Sequence, residues 1–83
     1  MKLHAEIVDA RRLLCPMPVI RAQERIGQLA PGDMVEILCS DPGALHDIPA
    51  WCRLHGHTVL STVTEDDEIR VTVRVGPRVT PGL

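Results

Sequence analysis

Aromatic side chains are nearly absent from this 83-residue chain, which has one Trp and neither Phe nor Tyr. Modules that bind single-stranded nucleic acid stack bases on aromatic rings, and that platform is missing. Excess basic charge is missing too: nine basic against eleven acidic residues give a formal charge of −2. A polyanion binder carries a basic stripe instead. A direct nucleic-acid partner, and with it a small RNA-binding α/β module, is therefore disfavoured. No run approaches the roughly 20 apolar residues of a membrane span. The first residues, Met1 to Glu6, mix polar and apolar types without the continuous hydrophobic region of a secretory leader. Paired cysteines are lacking as well. Three cysteines are an odd number, which argues against a closed disulfide framework, and no second cysteine follows Cys15 at the spacing of a CxxC redox pair. These absences point to a reducing, cytoplasmic setting in which free thiols persist. No internal repeat and no low-complexity segment interrupts the chain.

What is present is a small apolar core. Apolar residues make up 45% of the sequence, and Val, Ile, Leu, Met and Ala must supply the packing. A domain of this length buries only about 60–65% of the surface its unfolded chain exposes. Residues 1–75 read as a single domain. The stretch 76–83, with two prolines and two glycines, reads as a flexible tail.

Hydrophobic periodicity orders the elements. Leu3 to Val8 alternates, with Leu3, Ala5 and Ile7 set against His4 and Glu6, and suits a first strand. Asp9-Ala10-Arg11-Arg12 breaks that pattern. From Val19 the apolar positions are Val19, Ala22, Ile26 and Leu29, one stripe of a helix, which Pro31-Gly32 stops. Met34 to Cys39 is a buried strand by its nearly continuous apolar character. Asp41-Pro42 resembles an N-cap with an N1 proline. Pro49 interrupts the helix that follows, so a short lead-in turn and a main helix from Ile48 to His55, ended by Gly56, are expected. His57 to Thr64 and Glu68 to Val75 form a hairpin across Glu65-Asp66-Asp67. The order β-α-β-α-β-β, with right-handed crossovers between parallel strands, gives an α/β (α+β) two-layer sandwich. Its four-stranded mixed sheet carries two helices on one face.

Chemistry concentrates at Cys15-Pro16-Met17-Pro18. Proline is tolerated in the first helical turn, where the N–H has no intrahelical partner. Cys15 is thus expected at a helix N-terminus, beside free amides and the positive end of the macrodipole. A thiol of pKa about 8.5 is only about 3% thiolate at neutral pH, and lowering it by 1–1.5 units gives roughly 25–50%. A lone nucleophilic thiol without a resolving partner suits a group carrier that holds sulfur as a persulfide. The competing reading is a packed, inert cysteine.

Arg11, Arg12, Arg21 and Arg25 surround Cys15 in sequence and fit either a small anion or an acidic partner surface. For Arg21 and Arg25, four apart on the outer helical face, a merely solvated face is the alternative. Asp9 fits two roles, orienting the loop by side-chain hydrogen bonds or capping a turn. Cys39 reads as core, and so does Cys52 on the inner stripe of the second helix. Cys52, His55 and His57, with His46 nearby, match no standard zinc spacing, so no metal and no cofactor is expected. Trp51 suits the core or an interface.

Val8-Asp9-Ala10-Arg11 leading to Leu14-Cys15-Pro16-Met17-Pro18-Val19 resembles the opening signature of the TusA/SirA-like sulfur-carrier family. Pro31-Gly32-Asp33 is a second match. Asp41-Pro42, then Asp47-Ile48-Pro49-Ala50-Trp51-Cys52 and Gly56-His57, is a third. The matches run in order from about Leu3 to Val75. The resemblance implies the same two-layer fold and a sulfurtransferase of the persulfide-relay type. Cys15 would accept sulfane sulfur from a cysteine desulfurase or a rhodanese and pass it to an acceptor protein. The pathways it implies are tRNA thiolation, molybdenum-cofactor supply and sulfur oxidation. Pro16 and Pro18 match the prolines that shape the helix start, and Asp9 the acidic residue upstream. Where the family usually has glycine, this chain has Arg12, for which a left-handed backbone is costly, so the approach to Cys15 is expected to follow another path. Two alternatives carry the same fold: a regulatory or protein-interaction domain with Cys15 inert, and a partner of a membrane sulfur-compound transporter.

Overall fold

The computed structural model describes residues 6–14 and 16–77. Six elements follow one another: β1 (Glu6–Ala10), α1 (Met17–Ile26), β2 (Met34–Cys39), α2 (Ala44–His55), β3 (Thr58–Glu65) and β4 (Glu68–Arg74). The architecture is the expected α+β sandwich, a four-stranded mixed sheet under two helices. The strand order is β1-β2-β4-β3. β1 pairs parallel with β2, while β4 pairs antiparallel with both β2 and β3.

Period-two alternation explains why β4 is central. Ile69, Val71 and Val73 point inward and are buried, and between them lie Arg70 and Thr72. β3, rich in Thr and Ser, is exposed over most of its length and takes the edge. The β3–β4 loop is shorter than the polar run suggests. Both strands reach the turn, leaving Asp66 and Asp67 as its two central residues. Both have positive φ, 51° and 65°, as a type I′ hairpin requires, and Asp is among the few side chains that tolerate that region.

Three expectations change. First, β1 extends through Asp9 and Ala10, and its inward side is set by Val8 and Ala10; Ile7 is 62% exposed. Residues 3–5, the rest of the expected strand, lie outside the described residues. Two registers of alternation were available, and pairing with β2 (Val8 with Ile37, Ala10 with Cys39) selects the second. Second, α1 starts at Met17 and ends at Ile26. Its buried side chains are Pro18, Ala22 and Ile26, with Val19 and Leu29 partly buried beside them. Pro18 is therefore a core residue as well as a first-turn proline. Third, α2 runs unbroken through Pro49. Ala44, Ile48 and Cys52 bracket that proline as one fully buried stripe, so packing carries the helix across the missing N–H. Asp41 is not the N-cap; it makes a lead-in turn, accepting the Gly43 N–H at 3.1 Å on its carboxylate and the Ala44 N–H at 3.0 Å on its carbonyl.

The C-terminal end of the hairpin is tied down. Val75 donates to the Asp33 carbonyl (2.8 Å) and accepts from Gly32 (2.7 Å). Gly76, assigned to the tail from sequence, donates its N–H to His57 Nδ1 at 3.0 Å. Residues 78–83 of that tail lie outside the described residues.

Candidate functional site

Parallel pairing brings the C-terminal ends of β1 and β2 together, and the loop leaving β1 leads straight into α1. The sheet thereby fixes the start of the segment that carries the Cys-Pro-x-Pro motif. Cys15 itself lies outside the described residues. Its neighbours in sequence do not: the Met17 N–H donates to the Leu14 carbonyl at 2.8 Å, closing the turn from Leu14 to Met17. Pro16 stands at the N-cap of α1, with its carbonyl accepting from Val19 (3.1 Å) and Ile20 (3.2 Å). Pro18 follows in the first turn, its ring packed into the core. Neither a side-chain cap nor an acidic residue occupies this first turn. Leu14 (76% exposed), Met17 and Ile20 form an apolar rim around the turn.

Asp9 fills both roles the sequence left open. Its Oδ1 accepts the Arg11 backbone N–H at 3.1 Å, closing a turn. The same carboxylate clamps the Arg11 guanidinium through two bonds of 2.9 Å. Those bonds, the guanidinium's first and the backbone amide's second, hold the Asp9 carboxyl well below the usual carboxylate range. Arg11 reaches on toward Glu68 at 3.8 Å, and Glu68 in turn lies 3.9 Å from Arg70, which is 3.7 Å from Glu36. A chain of ion pairs thus runs across the outer face of the sheet and fixes the loop at one end.

Arg12 adopts φ 67°, a region that glycine enters freely and other residues enter at a cost. The arginine enters the left-handed region itself. Its N–H donates to Ser40 Oγ at 2.7 Å, which secures that conformation from the end of β2. Sequence reasoning did not single out Ser40; only the register that aligns Ala10 with Cys39 places the two loops side by side. Arg12 and Arg21 line one open depression of about 500 Å³, together with Asp9, Arg11 and Leu13. Arg25 is not among its lining residues. It pairs with Glu6 and donates to Gln28 Oε1 at 2.8 Å.

The other two thiols differ in kind. Cys39 and Cys52 are fully buried, and burial pushes each up to about 11. Trp51 stacks on His55 and His57, with ring centroids 4.8 and 5.2 Å apart. Burial first, and His55 second, keep His57 below the ordinary imidazole value, consistent with Nδ1 serving as an acceptor. Among the described residues no three His, Cys, Asp or Glu side chains gather where they could hold a metal ion. No described helix is long and apolar enough to cross a membrane.

The two-layer sandwich itself is shared with a solved structure. The crystal structure of the SirA-like protein from Desulfitobacterium hafniense superposes with a TM-score of 0.76 at 25% identity, covering 84% of this chain and 96% of that one. Among curated relatives, "Putative sulfur carrier protein YrkI" of Bacillus subtilis is 32% identical over 71 residues, 86% of this chain and 95% of the relative. A protein of the same descriptive name from Neisseria meningitidis serogroup A is 33% identical over 72 residues, 87% and 97% of the two chains. The family model described as Sulfurtransferase TusA matches residues 6–75. The chain belongs to the TusA sulfurtransferase family.

Proposed function

We propose that the protein is a cytoplasmic sulfur carrier that holds sulfane sulfur as a persulfide on Cys15 and relays it between a donor and an acceptor protein. The observation that carries this reading is the family match over residues 6–75, with Cys15 the one cysteine outside the two buried, proton-retaining thiols Cys39 and Cys52. In the first step the Cys15 thiolate attacks the outer sulfur of a donor cysteine persulfide. A new S–S bond forms on Cys15, the donor's S–S bond breaks, and the donor cysteine leaves as a thiolate. The second step repeats this exchange toward the acceptor, so no net oxidant or reductant is consumed.

The residues around Cys15 have separable parts in this scheme. Pro16 and Pro18 set the start of α1, and Asp9 fixes the loop through Arg11. Arg12 and Arg21 supply positive charge, which favours thiolate over thiol and complements an acidic docking surface. Arg25, bound to Glu6, braces α1 against β1. The apolar rim of Leu14, Met17 and Ile20 offers the contact area of a transient interface. The donor class is a cysteine desulfurase or a rhodanese, and the acceptor belongs to tRNA thiolation, molybdenum-cofactor supply or sulfur oxidation; a membrane sulfur-compound transporter is a further partner of the same chemistry.

The test is direct. Incubation with a desulfurase and cysteine, or a rhodanese and thiosulfate, followed by peptide mass spectrometry, gives one added sulfur atom on the Cys15 peptide. A Cys15→Ser protein gives none. No adduct on Cys15, or equal loading of the serine variant, leaves the regulatory-domain reading in its place.

A further inference from the structure

The two edges of the sheet are unlike. β1 is five residues long and carries Glu6 and Asp9, and a short, charged strand is a protected edge. β3 has eight residues, with no Lys or Pro among them and no charge before Glu65. β4 pairs along one side of it only, so about half of its residues turn their N–H and C=O groups to the free side. Leu60 and Val63 are 44% and 48% exposed along it. Its one irregularity, between Val59 and Ser61, lies near its start and leaves Ser61 to Glu65 in regular register. An edge this long and uncharged is a template for another strand. Charge gathers instead at its two ends, with opposite sign. Arg53 lies in the last turn of α2, which leads through Gly56 into β3, and Arg74 is the cross-strand partner of Thr58. At the other end stand Glu65, Asp66 and Asp67. All of these are exposed, and among the described residues none of them forms an ion pair.

We propose that the occupant of this edge is the β3 strand of a second copy of the chain, paired antiparallel about a two-fold axis into one sheet that runs through both copies. Such an interface is isologous, and antiparallel pairing sets the start of each strand beside the end of the other. The basic end of one copy, Arg53 and Arg74, then meets the acidic end of the other, Glu65-Asp66-Asp67, and the two-fold axis repeats the match. Parallel pairing would set like charges side by side. An unrelated extended segment would have to carry the same reversal of charge along its length, which a second copy supplies by itself. The contact is a strand pair with a few apolar side chains, so it belongs with weak interfaces under about 1,200 Å². β1 lies at the edge of the sheet opposite β3, so the β1–α1 connection that carries Cys15 stays open in both copies. Pairing needs no sulfur chemistry, and the relay needs no pairing.

The test is the mass of the full chain in solution. Sedimentation velocity over about a hundredfold range of concentration, up to the millimolar level that populates weak complexes, is expected to take the protein from 9.1 kDa toward twice that mass. The amide signals of residues 58–65 shift with concentration in ¹⁵N NMR, and added salt weakens the pairing by screening the end charges. Two charge variants make the test specific. Arg53→Glu with Arg74→Glu leaves both ends of β3 acidic. Glu65→Lys with Asp66→Asn and Asp67→Gly leaves both ends basic, and Asn-Gly suits the type I′ turn. Each variant alone, checked for folding by its melting curve, is expected to dimerise at least about tenfold more weakly than wild type. An equimolar mixture of the two is expected to recover a heterodimer, because acidic ends then face basic ends; a misfolded variant does not give that recovery. A protein that is monomeric at every concentration overturns the proposal and leaves the edge to an extended segment of another protein. A dimer that both variants form as tightly as wild type, or a mixture that stays monomeric, overturns the charge match and with it the β3 pairing. Sulfur loading of Cys15 is measured separately and bears on the carrier reading alone: a chain that dimerises in this way and never loads loses that reading and keeps this one.

Discussion

Gly76 is where one added carbon should cost most. A Cβ built there falls 1.8 Å from the Gly56 carbonyl oxygen and 2.8 Å from its carbon, whereas real Cβ atoms essentially never come within 3.0 Å of such neighbours. Both obstacles are backbone, so no flexible side chain can swing aside. Gly56 is also the left-handed C-cap of α2, at φ 83°, and its position is set by the helix. The two segments must part by more than about 1 Å, which opens the Gly76 N–H to His57 Nδ1 bond. Overpacking of this kind costs about 1–3 kcal/mol, and the lost hydrogen bond about 1 kcal/mol more. Gly76→Ala is therefore expected to lose about 2–4 kcal/mol. At roughly 4–8 °C per kcal/mol for a domain of this size, the melting temperature falls by about 10–25 °C. Urea and thermal unfolding followed by circular dichroism measure both. Gly43→Ala is the control, because a Cβ there meets only the Asp41 carboxylate at 3.6 Å or beyond; its stability stays within about 0.5 kcal/mol of wild type. A Gly76→Ala protein equally close to wild type would refute the close-approach argument.

Three further outcomes follow from the same structure. Pro49→Ala restores the N–H that Pro49 cannot donate to the Leu45 carbonyl; against about 3 kcal/mol for proline in a helix interior, less the packing of a half-buried ring, the urea midpoint should rise by the equivalent of about 1–2 kcal/mol, and a fall would show that α2 needs its proline. Because the folded protein depresses the His57 pKa, the unfolded chain binds more protons just below its value of about 6.5, so stability is full above that pH and declines as the pH drops through it; denaturation at pH 7.5 and 5.5 should show the loss, and His57→Gln, which keeps an acceptor without titrating, should shrink it. The depressed Asp9 pKa acts with the same sign lower down, its contribution present above about pH 3.9 and lost on acidification below that. With Cys39 and Cys52 at about 11, only about one in ten thousand of either is thiolate at neutral pH, so a thiol reagent should modify Cys15 rapidly in the native protein and all three only in urea; fast labelling of Cys39 or Cys52 in the native state would contradict the burial.

Element order was legible because alternation and helical stripes are properties of the chain itself. β4 alternates so cleanly that its inward residues can be named from sequence, and Ile69, Val71 and Val73 are all buried. What the sequence left undecided depends on partners distant along the chain. β1 offers two alternating sets, and only pairing with β2 turns Val8 rather than Ile7 inward. The central place of β4, between β2 and β3, likewise comes from the demand of its buried face for strands on both sides. Pro49 shows the reverse failure: a correct local rule was overruled by Ala44, Ile48 and Cys52, whose burial on both sides of the proline holds the helix through it. Around the candidate site the residue types were legible and their pairings were not. The four arginines look alike in sequence, yet Arg11 is spent on Asp9, Arg25 on Glu6 and Gln28, and only Arg12 and Arg21 line the hollow without an ion pair among the described residues.

Arg12 is where these levels meet. A non-glycine residue in the left-handed region carries a cost of about 1–2 kcal/mol, while the backbone hydrogen bond to Ser40 is open to either residue. Glycine would remove the strain but would make the unfolded chain more flexible, at about 0.4–1 kcal/mol. The two residues therefore come within about 1.5 kcal/mol of each other at this position, and both allow the same turn. Stability alone does not choose between them, so the difference lies in the side chain. Arginine at position 12 adds one guanidinium to the hollow shared with Arg21. For the same reason Arg12→Gly is a clean probe: it removes that charge while the turn, the Ser40 bond and the start of α1 stay in place.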